Sequence, residues 1–224
     1  MRRFVKDNAL SLFFLLAFLA ALVGQSIAGT ADYNATQLSD GGEPVSWPAY
    51  VTSSDFAVDV AENWQSEYLQ FLLFIMVTVW LVQRGSPESK KPGEEGAQSD
   101  QEQKVGPHAR PSSPAWAKTR GLRQSVFSNS LGLVMGLVFL LSWLAQSVAG
   151  TAAYNNRQLA QLQDPVSWGA YVASADFWSR TLQNWQSEFL AVLSMVVLSV
   201  YLRQRGSPES KPVGAPHATT GEEN

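Results

Sequence analysis

The sequence predicts an all-α membrane protein with four transmembrane helices, arranged as two tandem, same-orientation two-helix hairpins. Three observations carry that prediction. Apolar residues fall in blocks, and only 16% of the residues are charged. Two of the blocks reach the length of about 20 residues that a helix needs to cross a bilayer. The second half of the chain repeats the first at a constant offset, without a gap from residue 2 to residue 90: Gln25 pairs with Gln146, Trp64 with Trp185, Gly85 with Gly206. About half of the paired positions are identical, so the repeat has to be read before any local motif.

The first hairpin repeat occupies residues 1–90. It opens on a short basic segment with Arg2, Arg3 and Lys6. A charge-free run over about 9–28 follows and is the first expected span. Ser26-Ile27-Ala28 resembles a signal-peptide cleavage site, but the same apolar pattern returns in mid-chain, where no signal peptide can lie. The next stretch, from Thr30 to Asn63, is acidic and lacks Lys and Arg. Gly41-Gly42 and Pro44 break it, and Ser46 and Ser53 suit helix N-caps, the latter with Asp55 in the first turn. The second span is expected over about 64–82. Its purely apolar part, Phe71 to Val82, is short, and Trp64, Tyr68 and Trp80 extend it as interface anchors.

Residues 91–122 are Pro/Gly-rich and polar with few aliphatic side chains, the composition of a disordered linker. The second hairpin repeat, 123–211, has spans expected over about 130–149 and 185–202. Residues 212–224 form a polar tail expected to be disordered. Even these flanks echo one another, as Val105-Gly-Pro-His-Ala109 and Val213-Gly-Ala-Pro-His-Ala218.

Basic residues assign the sides. Nearly all Lys and Arg lie before the first span, in the linker or after the last span, with Arg157 and Arg180 on the other side. The positive-inside rule then places both termini and the linker in the cytoplasm and the two acidic connections outside. Equal orientation of the hairpins implies a pseudo-twofold along the membrane normal, unlike inverted-repeat transporters.

Candidate chemistry is sparse. The chain has no Cys, and His108 and His217 stand alone in polar segments, so no metal site or cofactor is expected. A net charge of −3 excludes a polycation for nucleic acid. Glu67 and Glu188 sit about one turn into the second span of each hairpin, and Gln25 and Gln146 about one turn before the end of the first. These depths suggest a polar cluster at the outer interface: Gln25, Ser66, Glu67, Gln146, Ser187 and Glu188. Carboxylates within membranes often mark a pathway, but headgroup snorkelling or hairpin hydrogen bonding explains them as well and outweighs it. Ala20, Gly24 and Ala28 share one helical face, and Gly132 and Gly136 form a Gly-xxx-Gly pair, both read as helix packing. The recurring Trp47/Trp168, Tyr50/Tyr171 and Phe56/Phe177 read as an aromatic belt or a surface helix. The longest identical block, Gln83 to Lys90 and Gln204 to Lys211, starts with a glycine helix stop. The rest of that block has no explanation in the sequence beyond duplication or a partner contact.

Gly24-Gln25-Ser26, Tyr33-Asn34, Asn63-Trp-Gln-Ser-Glu67 and Gln83-Arg-Gly-Ser-Pro-Glu-Ser-Lys90 resemble a bacterial family of integral membrane proteins, domain of unknown function family 6766. The resemblance implies a multi-pass protein of the bacterial cytoplasmic membrane and carries no activity, cofactor or catalytic residue. The expected role is non-enzymatic, structural or interaction-based, in the cell envelope. The second reading is a small oligomeric channel or transporter using Glu67 and Glu188. The expected partners are the lipid bilayer and, for the second reading, further copies of the chain.

Overall fold

The computed structural model describes residues 2–221 and is all-α. Among the described residues the helices are α1 (Arg2–Asp7), α2 (Ala9–Ser39), α3 (Trp47–Val51), α4 (Ser54–Val77), α5 (Leu122–Ser128), α6 (Ser130–Ala160), α7 (Trp168–Val172) and α8 (Ala175–Tyr201). The order α2-α3-α4 recurs as α6-α7-α8, so the sequence repeat is also a structural one. Residues 78–121 are turns with two short 3-10 segments, Gly106–His108 and Ala115–Lys118. The last three residues of the tail lie outside the described residues.

Helices α2 and α6 are long and apolar enough to cross a membrane. Each has 31 residues, which at 1.5 Å per residue is about 46 Å and exceeds a hydrocarbon core of about 30 Å. They therefore run well past residues 28 and 149, where the expected spans end. The polar stretch after each apolar block begins as helix, not as loop. Helix α4 departs in the opposite sense: it ends at Val77, and residues 78–80 are turn, short of the expected boundary at 82.

The end of α2 is set by a left-handed residue. Gly41 has φ +78°, and the next amide, of Gly42, returns to the carbonyl of Gln37 at 2.8 Å. The second copy makes the same stop with Leu162 at φ +57° and Gln163 N–H on Gln158 O at 2.8 Å. The geometry is kept although the residue suited to it is not.

The chain divides into two compact units, one built from residues 1–61 and 144–177, the other from 62–143 and 178–224. The first holds α2, α3, α7 and the second half of α6. The second holds most of α4 and α8, the first half of α6, the linker and the tail.

Candidate functional site

In the first unit the residues of the repeated signature bind one another, and they do so twice. Asn34 closes the connection between α2 and α3: its Nδ2 donates to Val45 O at 2.9 Å, and its Oδ1 accepts from Val45 N–H at 2.7 Å. Asn155 does the same with Val166, at 2.9 and 2.8 Å. Trp47 Nε1 donates to Ser26 Oγ at 3.1 Å, and Trp168 Nε1 to Ser147 Oγ at 3.0 Å. Gly29 and Gly150 leave room for the tyrosine of the next helix: a Cβ on Gly150 would lie 2.6 Å from Tyr171 Oη, and one on Gly29 would lie closer still to Tyr50 Oη. Tyr50 packs on Tyr33 and Phe56, and Tyr171 on Tyr154 and Phe177. Tyr50, Tyr171 and Phe177 are buried. These aromatics are the packed interior of each connection and not an interfacial belt. The tryptophans keep about half their surface exposed, at 50% for Trp47 and 53% for Trp168.

The six expected polar residues divide between the units. Gln25, half-buried, and Gln146, fully buried, belong to the first. Ser66, Glu67, Ser187 and Glu188 belong to the second, and there three of them meet. The Glu188 carboxylate lies beside the Ser66 hydroxyl, which donates to Asn63 O at 2.9 Å, and near the charge of Glu67. Ser66 is buried, Glu188 half-buried and Glu67 exposed. Ser187 is exposed and bonds back to Asn184 O at 2.8 Å.

Two further links join α4 and α8 in the second unit. Arg180 grips Glu62 with both arms, Nε to Oε2 at 2.7 Å and Nη2 to Oε1 at 3.0 Å. Trp185 Nε1 donates to Gln65 Oε1 at 2.8 Å. Gln65 is fully buried, and its Nε2 has no hydrogen-bond acceptor among the described residues. A signal for the first link was present: Arg180 stands at the repeat position of Asp59, and Glu62 at that of Gln183, so the copies differ in charge where they touch. The Gly132/Gly136 pair behaves as expected, with Met76 Sδ and Leu72 Cδ2 lying 3.3 and 3.6 Å from where a Cβ would be. Gly24, on the small face of α2, has nothing within 4 Å. A cleft of about 440 Å³ runs between α4 and α8, with walls such as Phe74, Val77, Phe189 and Val196 and a polar end at Ser86 and Ser89.

The long identical block folds into the same turn in both copies. Ser86 N–H bonds Gln83 O, and Ser207 N–H bonds Gln204 O, at 3.1 and 3.2 Å. Ser89 Oγ accepts from Gln83 N–H and donates to Lys90 O, at 2.8 and 3.0 Å. Ser210 Oγ does so with Gln204 and Lys211, at 2.9 and 3.1 Å. Gly85 and Gly206 sit at φ +89° and +81°. The serines are therefore structural, and the closing lysine organises whatever chain follows. Lys90 Nζ donates to Gly96 O at 2.6 Å. Lys211 Nζ is buried among the carbonyls of Gly85, His217, Thr219 and Pro216, at 2.6, 2.9, 3.2 and 3.4 Å. The tail, expected from its composition to be disordered, thus makes defined contacts as far as Gly221.

Among the described residues no group of three or more His, Asp or Glu is placed to hold a metal ion. Taken together, the fold and these contacts define an all-α protein with a repeated order of helices, two of which are long and apolar enough to span a membrane. The chain belongs to the family described as a domain of unknown function, DUF6766, whose model matches residues 1–222. Comparison with curated proteins and with solved structures gives no match.

Proposed function

We propose that this is a four-span protein of the bacterial cytoplasmic membrane, with both termini and the linker in the cytoplasm. Its role is structural or interaction-based and not enzymatic. The membrane reading is supported by the apolar stretches of α2 and α6, of which only 6% and 22% are buried. A soluble core helix would hide such a surface; a bilayer solvates it. Helices α4 and α8, with 24 and 27 residues, reach about 36 and 40 Å, long enough to return across the same bilayer.

One observation carries the functional reading: the side chains that recur in both copies hold the chain to itself. The asparagine clamps, the serine–tryptophan bonds, the glycine–tyrosine contacts and the serine turns occupy the repeated motifs with internal bonds. A scaffold that keeps its motifs for its own geometry is built to present surfaces in the membrane.

A second reading, a small oligomeric channel or transporter, is favoured by the meeting of Glu67, Ser66 and Glu188. Proton and ion flux into proteoliposomes decides between the two. With a structural role, the native protein and the Glu67→Gln, Glu188→Gln variant conduct no more than empty vesicles. Flux through the native protein that the double variant loses would establish the carboxylates as a pathway and overturn the scaffold role.

A further inference from the structure

The two serine turns share their sequence and the bonds of Ser89 and Ser210, yet they differ in what lies on their glycines; Ser86 O accepts from the tail, whereas Ser207 O accepts from Ser210 N–H at 3.3 Å within its own turn. The first turn is covered by the tail. Thr220 Oγ1 accepts from Gly85 N–H at 2.8 Å, Lys211 Nζ donates to Gly85 O at 2.6 Å, and Gly221 N–H donates to Ser86 O at 3.1 Å. His217 O comes so near that a Cβ on Gly85 would lie 2.5 Å from it. Gly85 and Ser86 are buried beneath this layer. At the second turn Gly206 is exposed, and a Cβ there would meet nothing within 4 Å among the described residues.

Both turns present a glycine N–H and carbonyl at similar positive φ, +89° and +81°, so a ligand that reads Gly85 finds the same groups at Gly206. The linker cannot serve. Its Pro107-His108-Ala109 matches the tail's Pro216-His217-Ala218, but the next residues are Arg110, Pro111 and Ser112 where the tail has Thr219, Thr220 and Gly221. Pro111 offers neither a hydroxyl nor an N–H. Pro-His-Ala-Thr-Thr-Gly occurs once in the sequence, and in this structure it is already seated on the first turn.

We propose that the second turn, at Gly206, is a docking site for the 211–221 tail of a second copy of this chain. This names a partner for the interaction role proposed above and rests on that role. The docked copy supplies the lysine to Gly206 O and the threonine hydroxyl to Gly206 N–H. Within one chain the first turn has the advantage, because a tethered tail meets it at an effective concentration of order millimolar. Exchange between copies therefore depends on crowding in the membrane, as in other swaps of an identical element.

The test is a titration of the full chain, in detergent or nanodiscs, with a labelled peptide of residues 211–221. The expected result is saturable binding of one peptide per chain. Gly206→Ala in the chain, with helix content unchanged by circular dichroism, weakens it at least tenfold. Thr220→Val in the peptide does the same against the native chain, which keeps the test decisive if the glycine variant misfolds. A peptide of residues 105–112 does not bind. Absence of saturable binding up to millimolar peptide overturns the proposal. So does binding that Gly206→Ala leaves unchanged, which would mean exchange onto the first turn, and so does equal binding of the linker peptide. None of these outcomes depends on the flux measurement, so the docking site and the scaffold role fail separately.

Discussion

Leu162 holds a backbone angle that suits glycine, and its side chain is 96% exposed, so no packing offsets the strain. The left-handed region costs an L-residue about 1–2 kcal/mol. Leu162→Gly, which restores the residue found at Gly41, is expected to stabilise the protein by about 1 kcal/mol after the extra entropy of the unfolded chain is counted. A thermal midpoint that falls in this variant would contradict the assignment. Tyr50 gives a pH-dependent counterpart. Burial first, and then the negative charges of Asp59, Asp55 and Asp32, hold its hydroxyl above the ordinary value of 10.0. A raised value means that its share of stability is complete below pH 10 and is lost as pH rises from there through the folded-state value. Tyr50→Phe should flatten the fall of the thermal midpoint across that window, measured against the native protein. An unchanged alkaline slope would show that the buried hydroxyl plays no part.

Pairs of helices carry a different kind of information. The Arg180–Glu62 pair joins α4 to α8 with side chains 27% and 15% exposed. Such partly buried pairs are costly to break singly and recoverable when exchanged. Arg180→Ala is expected to lower stability by about 1–3 kcal/mol, and Arg180→Glu by more, because two carboxylates then face each other. Combining Arg180→Glu with Glu62→Arg should recover most of the loss in a thermal-shift assay. Additive losses would mean that the contact contributes nothing as a pair. The charges also bear on which copies can associate. Two first copies joined in this manner would set Asp59 against Glu62, two acids, whereas the first and second copies set Arg180 against it. The divergence of the duplicates favours pairing within the chain.

Across the whole molecule, the order of elements and the duplication were legible because they depend on hydropathy blocks and on residue identity at a fixed offset. Helix ends were less so. Thr30 to Ser39 is helical although polar, and nothing local forbids helix before Gly41. Thr78 to Trp80 are not helical although they continue an apolar run. Of the six polar residues picked out in the sequence, Ser66, Glu67 and Glu188 lie near one another in the second unit. Gln65 and Trp185 were visible as repeated residues but not as a pair, and the Arg180–Glu62 link left its mark only where the copies differ, because a contact between copies leaves none in either copy read alone. The serine turns were visible as identity and opaque as cause, since the bonds of Ser89 and Ser210 run to backbone groups. The proposed four-span arrangement makes a further prediction. The chain has no native cysteine, so single cysteines report sidedness cleanly. Cysteines at Asp40 and Gln161 should react with an impermeant maleimide from outside intact cells. Cysteines at Ala97 and Gly214 should react only after lysis. Labelling of all four from one side would end the two-hairpin arrangement.

The asparagine clamp has a consequence for how the chain can change. Asn34 and Val45, like Asn155 and Val166, pin the two feet of a short arch. The two arches have drifted apart at their crowns, Ser39 to Glu43 in one and Ala160 to Asp164 in the other, with no position shared. Closing a longer arch between fixed feet costs only about 0.6 kcal/mol for each doubling of its length. The crowns are thus the places where evolution, or an experimenter grafting an epitope or a reporter, can write new sequence while the helices beneath stay where they are.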